Sequence, residues 1–362
     1  MINYSRESLN EIIRDKNDIL NKKDFGDSEC KGIDNKELKN NNLKEYIIKE
    51  CPNFCENFEL LNCIGIGSES KVYKAKFKKY NKTIAIKIIL RDKEEKKNIN
   101  EVKISKKLKY KNIIDFYSIF TIKKDKLDCI MMEYGDLGNL INFKKNILKG
   151  SYLSESLLCY ISYQILNGLK YCQKSKVVHL DLKPQNIILN DYLDVKLIDF
   201  SISMDYSKII SDFIKIPFRG TNFYISPEIF ENKTIKLKDI NKIDLYSLGV
   251  VLFYLAFGYY PFGLSYEDAN NYDKIYNKIM KDLEIKNENN WYSSHFIDFL
   301  IKLLEKDINK RLDINEALNH FWIKGAKILL DEKEKINNIS IFLIYLMRDQ
   351  IIRFVHYLNQ KI

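Results

Sequence analysis

The sequence predicts an α+β fold in which short strands come first and helices follow. The Gly-rich segment Ile64–Val72, which lies between apolar residues, predicts a strand-turn-strand, and the short apolar run Ile84–Lys87 predicts a further strand. The later stretch from Asp244 to Phe262 is almost continuously apolar and contains Gly258 near its end, as expected of a long core helix. With 362 residues and 46% hydrophobic content, the chain suffices for one domain with short extensions.

The segment HLDLKPQN, from His179 to Asn186, is the most informative of the chain. Its Asp181 offers a carboxylate that can orient an attacking hydroxyl, and its Lys183 offers a cation for phosphate. Asn186 and the later Asp199 offer oxygen ligands of the kind that Mg²⁺ prefers. An isolated His-x-Asp is usually structural, but these residues at these offsets between apolar runs indicate phosphoryl transfer.

An upstream segment has the features of a nucleotide cradle. Gly65 and Gly67, in IGIGSESKV, would let the backbone approach a phosphate, although two glycines so spaced are more often an ordinary hairpin. The cradle is favoured because a short apolar strand follows and ends in Lys87. Glu101, in a helical stretch, is the candidate partner of that ammonium. Taken alone, Lys87 and Glu101 would each be interpreted as a solvent-exposed charged residue.

The ordered series of motifs resembles the eukaryotic protein kinases, over about residues 58–325. Tyr224–Glu228, reading YISPE, resembles the end of the substrate-binding loop of that family, and Arg311 matches a buried Arg that pairs with its Glu. Lys183 and the pair Gly220-Thr221 are similar to the serine/threonine branch. The resemblance implies transfer of the γ-phosphate of ATP to Ser or Thr hydroxyls of protein substrates. The closing ALNHFWI is similar to the calcium/calmodulin-dependent group.

The same resemblance implies a bilobal α+β fold, with a small β-rich N-lobe that has one main helix and a larger, mostly α-helical C-lobe. It assigns the catalytic domain to 58–325, divided into an N-lobe at 58–135 and a C-lobe at 136–325. Residues 1–57 are polar and Asn/Lys-rich, so we expect a partly disordered N-terminal extension. Residues 326–362 are the expected C-terminal helical extension.

Functional residues are carried over position by position. The resemblance makes Asp181, Lys183 and Asn186 catalytic, and Asn186 with Asp199 the ligands of Mg²⁺, with Mn²⁺ as an alternative. The expected ATP-binding residues are Ile64, Gly65, Ile66, Gly67, Ser68, Glu69, Ser70, Lys71, Val72, Ala85, Lys87, Glu101, Glu133, Gly135 and Ile188. Core packing is the alternative role of the apolar ones. Asp244 resembles the carboxylate that braces the catalytic loop, with a helix N-cap as the alternative.

Three positions depart from the family pattern. Leu180 occupies the place of the Arg that in many kinases reads a phosphate on the activation loop. We therefore expect that loop phosphorylation is not the on-switch, and that Ser207→Ala with Ser211→Ala leaves activity within about threefold. Ser201 and Ser70 each replace a Gly. Because no catalytic group is lost, an active kinase is favoured over the alternative, a pseudokinase-like nucleotide-binding scaffold.

Composition gives the remaining expectations. The net charge of +10 comes from Lys interspersed with acidic residues, which indicates a solvated basic surface rather than a nucleic-acid site. Without a signal pattern or an apolar run of transmembrane length, the cytoplasm is the expected location, with the nucleus as the alternative.

The tail from Ile339 onward, ISIFLIYLMRDQIIRFVHYLNQKI, is apolar around most of a helix. Docking on the chain's own large lobe is one interpretation. An autoinhibitory helix, or one bound by a regulatory partner in the manner of calmodulin targets, is the other.

Overall fold

The computed structural model describes residues 43–67, 70–90, 96–122, 127–149, 153–287, 291–336 and 338–348. Ser68 and Glu69, expected to bind ATP, lie outside these ranges, as do 1–42 and 349–362 of the two predicted extensions. The chain divides into two compact units. The first contains Met1–Lys109 and Ile114–Tyr134, and the second contains Tyr110–Ile113 and Gly135–Ile362.

The first unit is built around a five-stranded antiparallel sheet. Its elements are helices α1 (Leu43–Glu50) and α2 (Pro52–Asn57), strands β1 (Phe58–Ile66), β2 (Ser70–Phe77) and β3 (Lys82–Leu90), helix α3 (Lys96–Lys107), and strands β4 (Phe116–Ile122) and β5 (Leu127–Met132). The strand order is β1-β2-β3-β5-β4. The strands are rich in Ile, Tyr and Phe, which pack well on a pleated surface.

The two faces of this sheet differ because side chains alternate along each strand. On β3, Ile84, Ile86 and Ile88 point to one face and lie in a single apolar cluster with residues of α1 and α2. Lys87 is on the opposite face. The two helices supply Leu43, Ile47 and Phe54 to the cluster, and Cys51, which lies between them, is also a member.

Residues 43–57 therefore differ from the expected partly disordered extension. Their four buried apolar side chains recur at the spacing of one helical face, which the polar composition of the whole extension conceals. The ammonium of Lys44 donates to the carbonyl of Leu61 at 2.7 Å, and that of Lys78 donates to the carbonyl of Cys55 at 2.6 Å. The two helices thus belong to the core of the first unit.

The second unit is mostly helical. Its helices are α4 (Leu140–Asn146), α5 (Glu155–Lys174), α6 (Pro227–Phe230), α7 (Lys242–Phe257), α8 (Tyr272–Ile279), α9 (Ser294–Leu303), α10 (Ile314–Asn319), α11 (Phe321–Lys335) and α12 (Ile339–Arg348). Short strands form small ladders: β6 (Gly138–Asn139), β7 (Val177–Val178), β8 (Ile187–Leu189), β9 (Val195–Leu197), β10 (Met204–Asp205), β11 (Phe213–Lys215) and β12 (Thr234–Lys236). One β-rich unit and one helical unit confirm the predicted α+β fold.

Helix α7 forms the centre of the second unit. It is buried from Ile243 to Phe253, and it ends at Gly258, whose φ of 78° is the left-handed conformation that terminates helices. In the part of the chain that the structure describes, Leu237–Phe257 is the one stretch with the length and apolarity of a membrane span. No apolar run of that length was expected from the sequence. As 83% of its apolar window is buried inside the unit, the stretch is accounted for as a core helix.

The expected boundary between the catalytic domain and the C-terminal extension lies inside a helix. Helix α11 continues through residue 325, where the domain was expected to end, because Trp322, Ile323 and Ala326 are buried on one helix face. Helix α12 then docks on the same unit through Phe342 and Leu346, both fully buried. The hydroxyl of Ser154, the N-cap of α5, donates to the carbonyl of Leu346 at 2.6 Å. For residues 338–348, the docking interpretation of the tail is the one observed.

Candidate active site

The loop between β7 and β8 brings three of the predicted catalytic side chains together. The hydroxyl of Thr221 donates to Oδ1 of Asp181 at 2.6 Å, and the ammonium of Lys183 lies 2.8 Å from Oδ2 of that carboxylate. Lys183 also donates to the Thr221 oxygen at 2.8 Å. The Asn186 amide donates to Oδ2 of Asp181 at 3.0 Å and to its carbonyl at 2.8 Å. One carboxylate, one ammonium and one amide are thus held within hydrogen-bonding distance.

Asn186 and Asp199 are brought close through the backbone. The N–H of Ile198, the residue before Asp199, donates to the carbonyl of Asn186 at 3.0 Å. Because Nδ2 of Asn186 is bonded to Asp181, its Oδ1 is the amide atom that can face a cation. Asp199 has a φ of 63°, an uncommon conformation for a residue with a side chain. An amide oxygen and a carboxylate are the donor set that fits Mg²⁺.

Asp244 supports the catalytic loop from α7. Its two carboxylate oxygens accept the backbone N–H groups of His179 and Leu180, each at 2.8 Å. Burial raises the pKa of the Asp244 carboxyl, an effect opposed by His179 and by the two N–H donors. Since the side chain bonds to a distant loop and Asn241 holds the N-cap position of α7, the predicted brace is observed rather than the alternative helix cap.

In the first unit, Lys87 of β3 forms an ion pair with Glu101 of α3. The ammonium is 2.9 Å from Oε1 and 2.8 Å from Oε2 of the carboxylate. Both side chains are largely buried, with exposed fractions of 11% for Lys87 and 7% for Glu101. The pairing expected from the sequence is therefore present.

The expected phosphate loop joins β1 to β2 as a hairpin. Gly65 pairs with Val72, and Ile66 pairs with Lys71, which is buried. The N–H of Gly67 donates to the carbonyl of Ser70 at 2.8 Å, and a Cβ on Gly67 would lie 2.9 Å from the Ser70 hydroxyl. A side chain at Gly67 would thus require the Ser70 hydroxyl to move. Ile64 and Ile66 are exposed.

Further expected ATP-binding residues occur in each of the two units. Strand register pairs Val72 with Lys87 and Ala85 with Met132, which places these side chains on one face of the first sheet. This is the face opposite α1 and α2. In the second unit, a Cβ on Gly135 would lie 2.8 Å from Cδ1 of Ile188 and 3.0 Å from the Leu189 carbonyl, so a side chain there would require these neighbours to move.

Glu133 is joined to Asp115 by two hydrogen bonds within the first unit. Its N–H donates to the carbonyl of Asp115 at 2.9 Å, and its carboxylate accepts the N–H of Asp115 at 3.2 Å. The backbone N–H of Glu133, an expected ATP-binding residue, is therefore already hydrogen-bonded within its own unit.

Glu228 and Arg311 form a buried ion pair in the second unit. Nη1 donates to Oε1 at 2.7 Å and Nη2 to Oε2 at 3.0 Å, a bidentate geometry. Arg311 also donates to the carbonyls of Lys242, Glu305 and Lys306. The pair joins the end of the expected substrate-binding loop to the segment before α10.

Residues 58–323 match the protein kinase domain. The chain belongs to the protein kinase family. Members of this family use ATP and Mg²⁺.

Curated relatives agree with this assignment. The chain is 31% identical over 283 residues to the MAP kinase kinase MKK1/SSP32 of Saccharomyces cerevisiae, covering 75% of this chain and 54% of that protein. It is 32% identical over 289 residues to the serine/threonine-protein kinase dst2 of Dictyostelium discoideum, covering 79% and 24%. It is 30% identical over 272 residues to the CBL-interacting serine/threonine-protein kinase 12 of Arabidopsis thaliana, covering 74% and 52%. The chain thus spans about half or less of the length of these relatives.

The role of Thr221 in the active site is not evident from the sequence alone. Thr221 was noted as part of a Gly-Thr pair, but its direct bonds to Asp181 and Lys183 were not anticipated. Thr221 lies 40 positions from Asp181 and 38 from Lys183, and the pair Gly220-Thr221 was the available signal. Within the described ranges no group of three or more His, Cys, Asp or Glu residues could hold a metal ion.

Proposed function

We propose that this chain is a serine/threonine protein kinase that transfers the γ-phosphate of ATP to Ser or Thr hydroxyls of protein substrates. The observation that supports the proposal is the set of bonds that joins Asp181 to Thr221, Lys183 and Asn186. The shared Thr hydroxyl, which contacts both the carboxylate and the ammonium, favours the serine/threonine type over the tyrosine type.

Each side chain of the loop has a chemical role in the proposed reaction. Asp181 orients the substrate hydroxyl and accepts its proton as the oxygen attacks the γ-phosphorus, from which ADP departs. Lys183 neutralises negative charge on the transferring phosphoryl group. Thr221 holds the Asp181 carboxylate in one orientation. The reaction asks for positioning and electrostatic stabilisation rather than covalent catalysis, and this set can supply both.

The nucleotide and its metal complete the proposal. Lys87, oriented by Glu101, binds the α and β phosphates of ATP. Asn186 and Asp199 would hold Mg²⁺, with Mn²⁺ as an alternative, and the metal would supply neutralisation of phosphate charge. The glycines at 65 and 67 let backbone N–H groups approach the phosphates.

A regulatory partner is a second part of the proposal. The name of the CBL-interacting relatives states a partner for those proteins. For this chain, a regulatory partner of the tail remains a proposal for residues 349–362, because α12 is docked on its own unit.

The test is phosphoryl transfer by the purified chain. The chain would be incubated with Mg²⁺ and γ-labelled ATP, with casein or myelin basic protein as acceptor, beside Asp181→Asn. We expect labelled phosphoserine and phosphothreonine that disappear in the variant. Measurable ATP binding without transfer, under the same conditions, would favour the pseudokinase-like scaffold instead.

A further inference from the structure

The activation segment, residues 199–228, forms one wall of an open cavity in the second unit. The cavity has a volume of about 650 Å³, and its other walls come from the end of α5 with the turn after it and from the end of β12 with the residues that follow. Lys176, Lys236 and Lys238 line it, together with one acidic residue, Asp212. The lining therefore carries a formal charge of +2, and we name it the basic cavity. None of the proposed catalytic residues belongs to it.

Hydrogen bonds join the walls of the basic cavity to one another. The N–H of Tyr206 donates to the carbonyl of Lys176 at 2.9 Å, and the N–H of Leu237 donates to the carbonyl of Asp212 at 2.7 Å. The hydroxyl of Tyr206 also donates to Oδ1 of Asn241 at 2.7 Å. Because its walls are already connected, the cavity loses less conformational entropy when it binds a ligand than separate loops would.

The three ammonium groups have no anionic partner among the described residues. No ion pair joins any of them to a carboxylate, and the ammonium of Lys176 lies over the Tyr206 ring, 6.0 Å from its centre. Asp239, the carboxylate next to Lys238 in sequence, is already paired with Lys242 at 3.3 Å. Like charges around one cavity repel one another, and an anion bound among them removes this repulsion. The basic cavity therefore favours an anionic ligand.

Apolar side chains are exposed beside these lysines. Side chains alternate along the paired strands β11 and β12, so Ile214 and Ile235 point into the unit, whereas Phe213 and Lys236 point outward. Phe213 lines the basic cavity and is 56% exposed, and Ile210, three residues before it, is 98% exposed. Exposed apolar side chains rimmed by charged ones are typical of surfaces that bind other proteins.

We propose that the basic cavity is the docking site for an acidic peptide segment of a protein partner. Carboxylates of the segment pair with Lys176, Lys236 and Lys238, and an apolar side chain of the segment contacts Phe213. Three lysines around one cavity fit a short peptide better than a nucleic acid, whose binding depends on contacts to many phosphates. This docking goes beyond the proposed phosphoryl transfer and does not depend on it.

Fluorescence anisotropy tests the binding with a labelled synthetic peptide of Asp and Glu that has one central Phe. The full chain is used without ATP, so a failure of phosphoryl transfer would leave the measurement intact. We expect saturable binding that weakens as the NaCl concentration rises, because salt screens exposed charges. A peptide with Asn and Gln in place of the acids should bind at least about tenfold more weakly. Equal affinity for the two peptides, or no binding of the acidic one, would overturn the proposal.

Charge reversal at the three lysines tests the location of the binding site. In the chain with Lys176→Glu, Lys236→Glu and Lys238→Glu, we expect the Kd of the acidic peptide to rise at least about tenfold. The matched control reverses three exposed lysines of the same unit that do not line the cavity, which are Lys281, Lys286 and Lys324. Its Kd should change by less than about threefold. An equal rise in the control would refute the proposal, because it would show only an effect of net charge.

A milder set of variants covers the case in which charge reversal lowers the thermal unfolding temperature. Lys176→Gln, Lys236→Gln and Lys238→Gln together remove the three charges without adding new ones. We expect the Kd of the acidic peptide to rise at least about threefold in this chain. An unchanged Kd would show that the lysines do not contact the peptide.

The apolar contact has its own pair of variants. Phe213→Ser should weaken binding of the acidic peptide with the central Phe, and should leave binding of an acidic peptide with Ser in that place unchanged. Tyr192→Ser is the matched control, because Tyr192 is an aromatic residue of the same unit that is 61% exposed and does not line the basic cavity. Equal losses for the two peptides in Phe213→Ser would contradict the proposed contact.

Ser207 also lines the basic cavity, so a phosphate on its hydroxyl is the alternative occupant. Hydrogen exchange separates the two. We expect the acidic peptide to slow exchange of the amides at 206–213 and 236–238, in the phosphatase-treated chain and in Ser207→Ala alike. Slow exchange in Ser207→Glu without peptide, with no further effect of the peptide on any of these chains, would assign the lysines to a phosphate of the chain itself and overturn the proposal.

Discussion

The hydroxyl of Thr221 donates to the carboxylate of Asp181 at 2.6 Å, although 40 positions separate the two residues. The bond joins the activation segment to the loop that bears the proposed proton acceptor. Lys183 contacts both partners at 2.8 Å, so the three side chains form a closed triangle. The orientation of Asp181 therefore depends on where the activation segment lies.

Removal of the Thr221 hydroxyl tests this dependence. Thr221→Val keeps the shape of the side chain and deletes the donor, whereas Thr221→Ser keeps the hydroxyl. A hydrogen bond to a charged group contributes about 1.5–3 kcal/mol, so we expect Thr221→Val to lower kcat by about 10- to 100-fold. Thr221→Ser should remain close to wild type. Equal kcat values for both variants in steady-state kinetics would exclude a role for the hydroxyl.

The ion pair in the first unit predicts a defect in nucleotide use. Glu101→Gln removes the charge that orients Lys87, so we expect kcat/KM for ATP to fall by about tenfold, roughly 1.4 kcal/mol. Glu59→Gln is the matched control, because Glu59 is an exposed carboxylate on β1 of the same unit. Kinetics at varied ATP concentration would measure both. A similar fall of kcat/KM in Glu59→Gln would show that the effect comes from removing a negative charge from this unit, and not from breaking the ion pair.

The pair of Glu228 and Arg311 predicts a large effect on stability. Arg311→Met leaves a buried carboxylate without its cation, and we expect the free energy of unfolding in urea to fall by about 3–5 kcal/mol. Adding Glu228→Met should restore part of the loss. Recovery will be incomplete because three carbonyls also lose their donor. A double variant as unstable as the sum of the two single ones would contradict this account.

Helix α12 is expected to contribute to stability rather than to inhibit turnover. Phe342 is fully buried and its ring packs against Tyr160 at 5.4 Å, whereas Ile344 on the same helix is 61% exposed. Phe342→Ala should cost about 3–5 kcal/mol in unfolding free energy, and Ile344→Ala less than about 0.5 kcal/mol. Thermal unfolding would compare them. Higher kcat in Phe342→Ala, or after deletion of the residues beyond 330, would instead indicate autoinhibition.

The carboxylate of Asp268 predicts a specific acid sensitivity. Its hydrogen bonds to Lys274 and Lys278 hold the pKa of Asp268 below its ordinary value. Because the pKa is lower in the folded state than the value of about 3.9 in the unfolded chain, its contribution to stability is present above about pH 5 and is lost as the pH falls below about 4.

Urea unfolding at several pH values would measure this contribution. Between about pH 5 and pH 3, the unfolding free energy should decline less steeply with falling pH in Asp268→Asn than in the wild-type chain. Parallel curves for the two proteins would show that Asp268 is not responsible for any of the decline.

Local patterns in the sequence were sufficient for much of the site. Asp181, Lys183 and Asn186 lie within six consecutive residues, so their chemical roles could be predicted without knowledge of the fold. Helix α7 was predicted from its apolar run and its terminal glycine, since both signals are local. The helices at 43–57 were not predicted, because the polar composition of a long extension outweighed four regularly spaced apolar residues.

The sequence by itself determined which reactive groups this protein has, their order along the chain, and the family to which it belongs. Tertiary structure alone decided that Thr221 contacts Asp181, that Leu180, Ile216 and Ile225 lie in one apolar cluster, and that α12 docks through Phe342. The physical reason is that motifs and helix signals act within a few residues. Contacts between distant residues depend instead on how the whole chain buries its apolar surface.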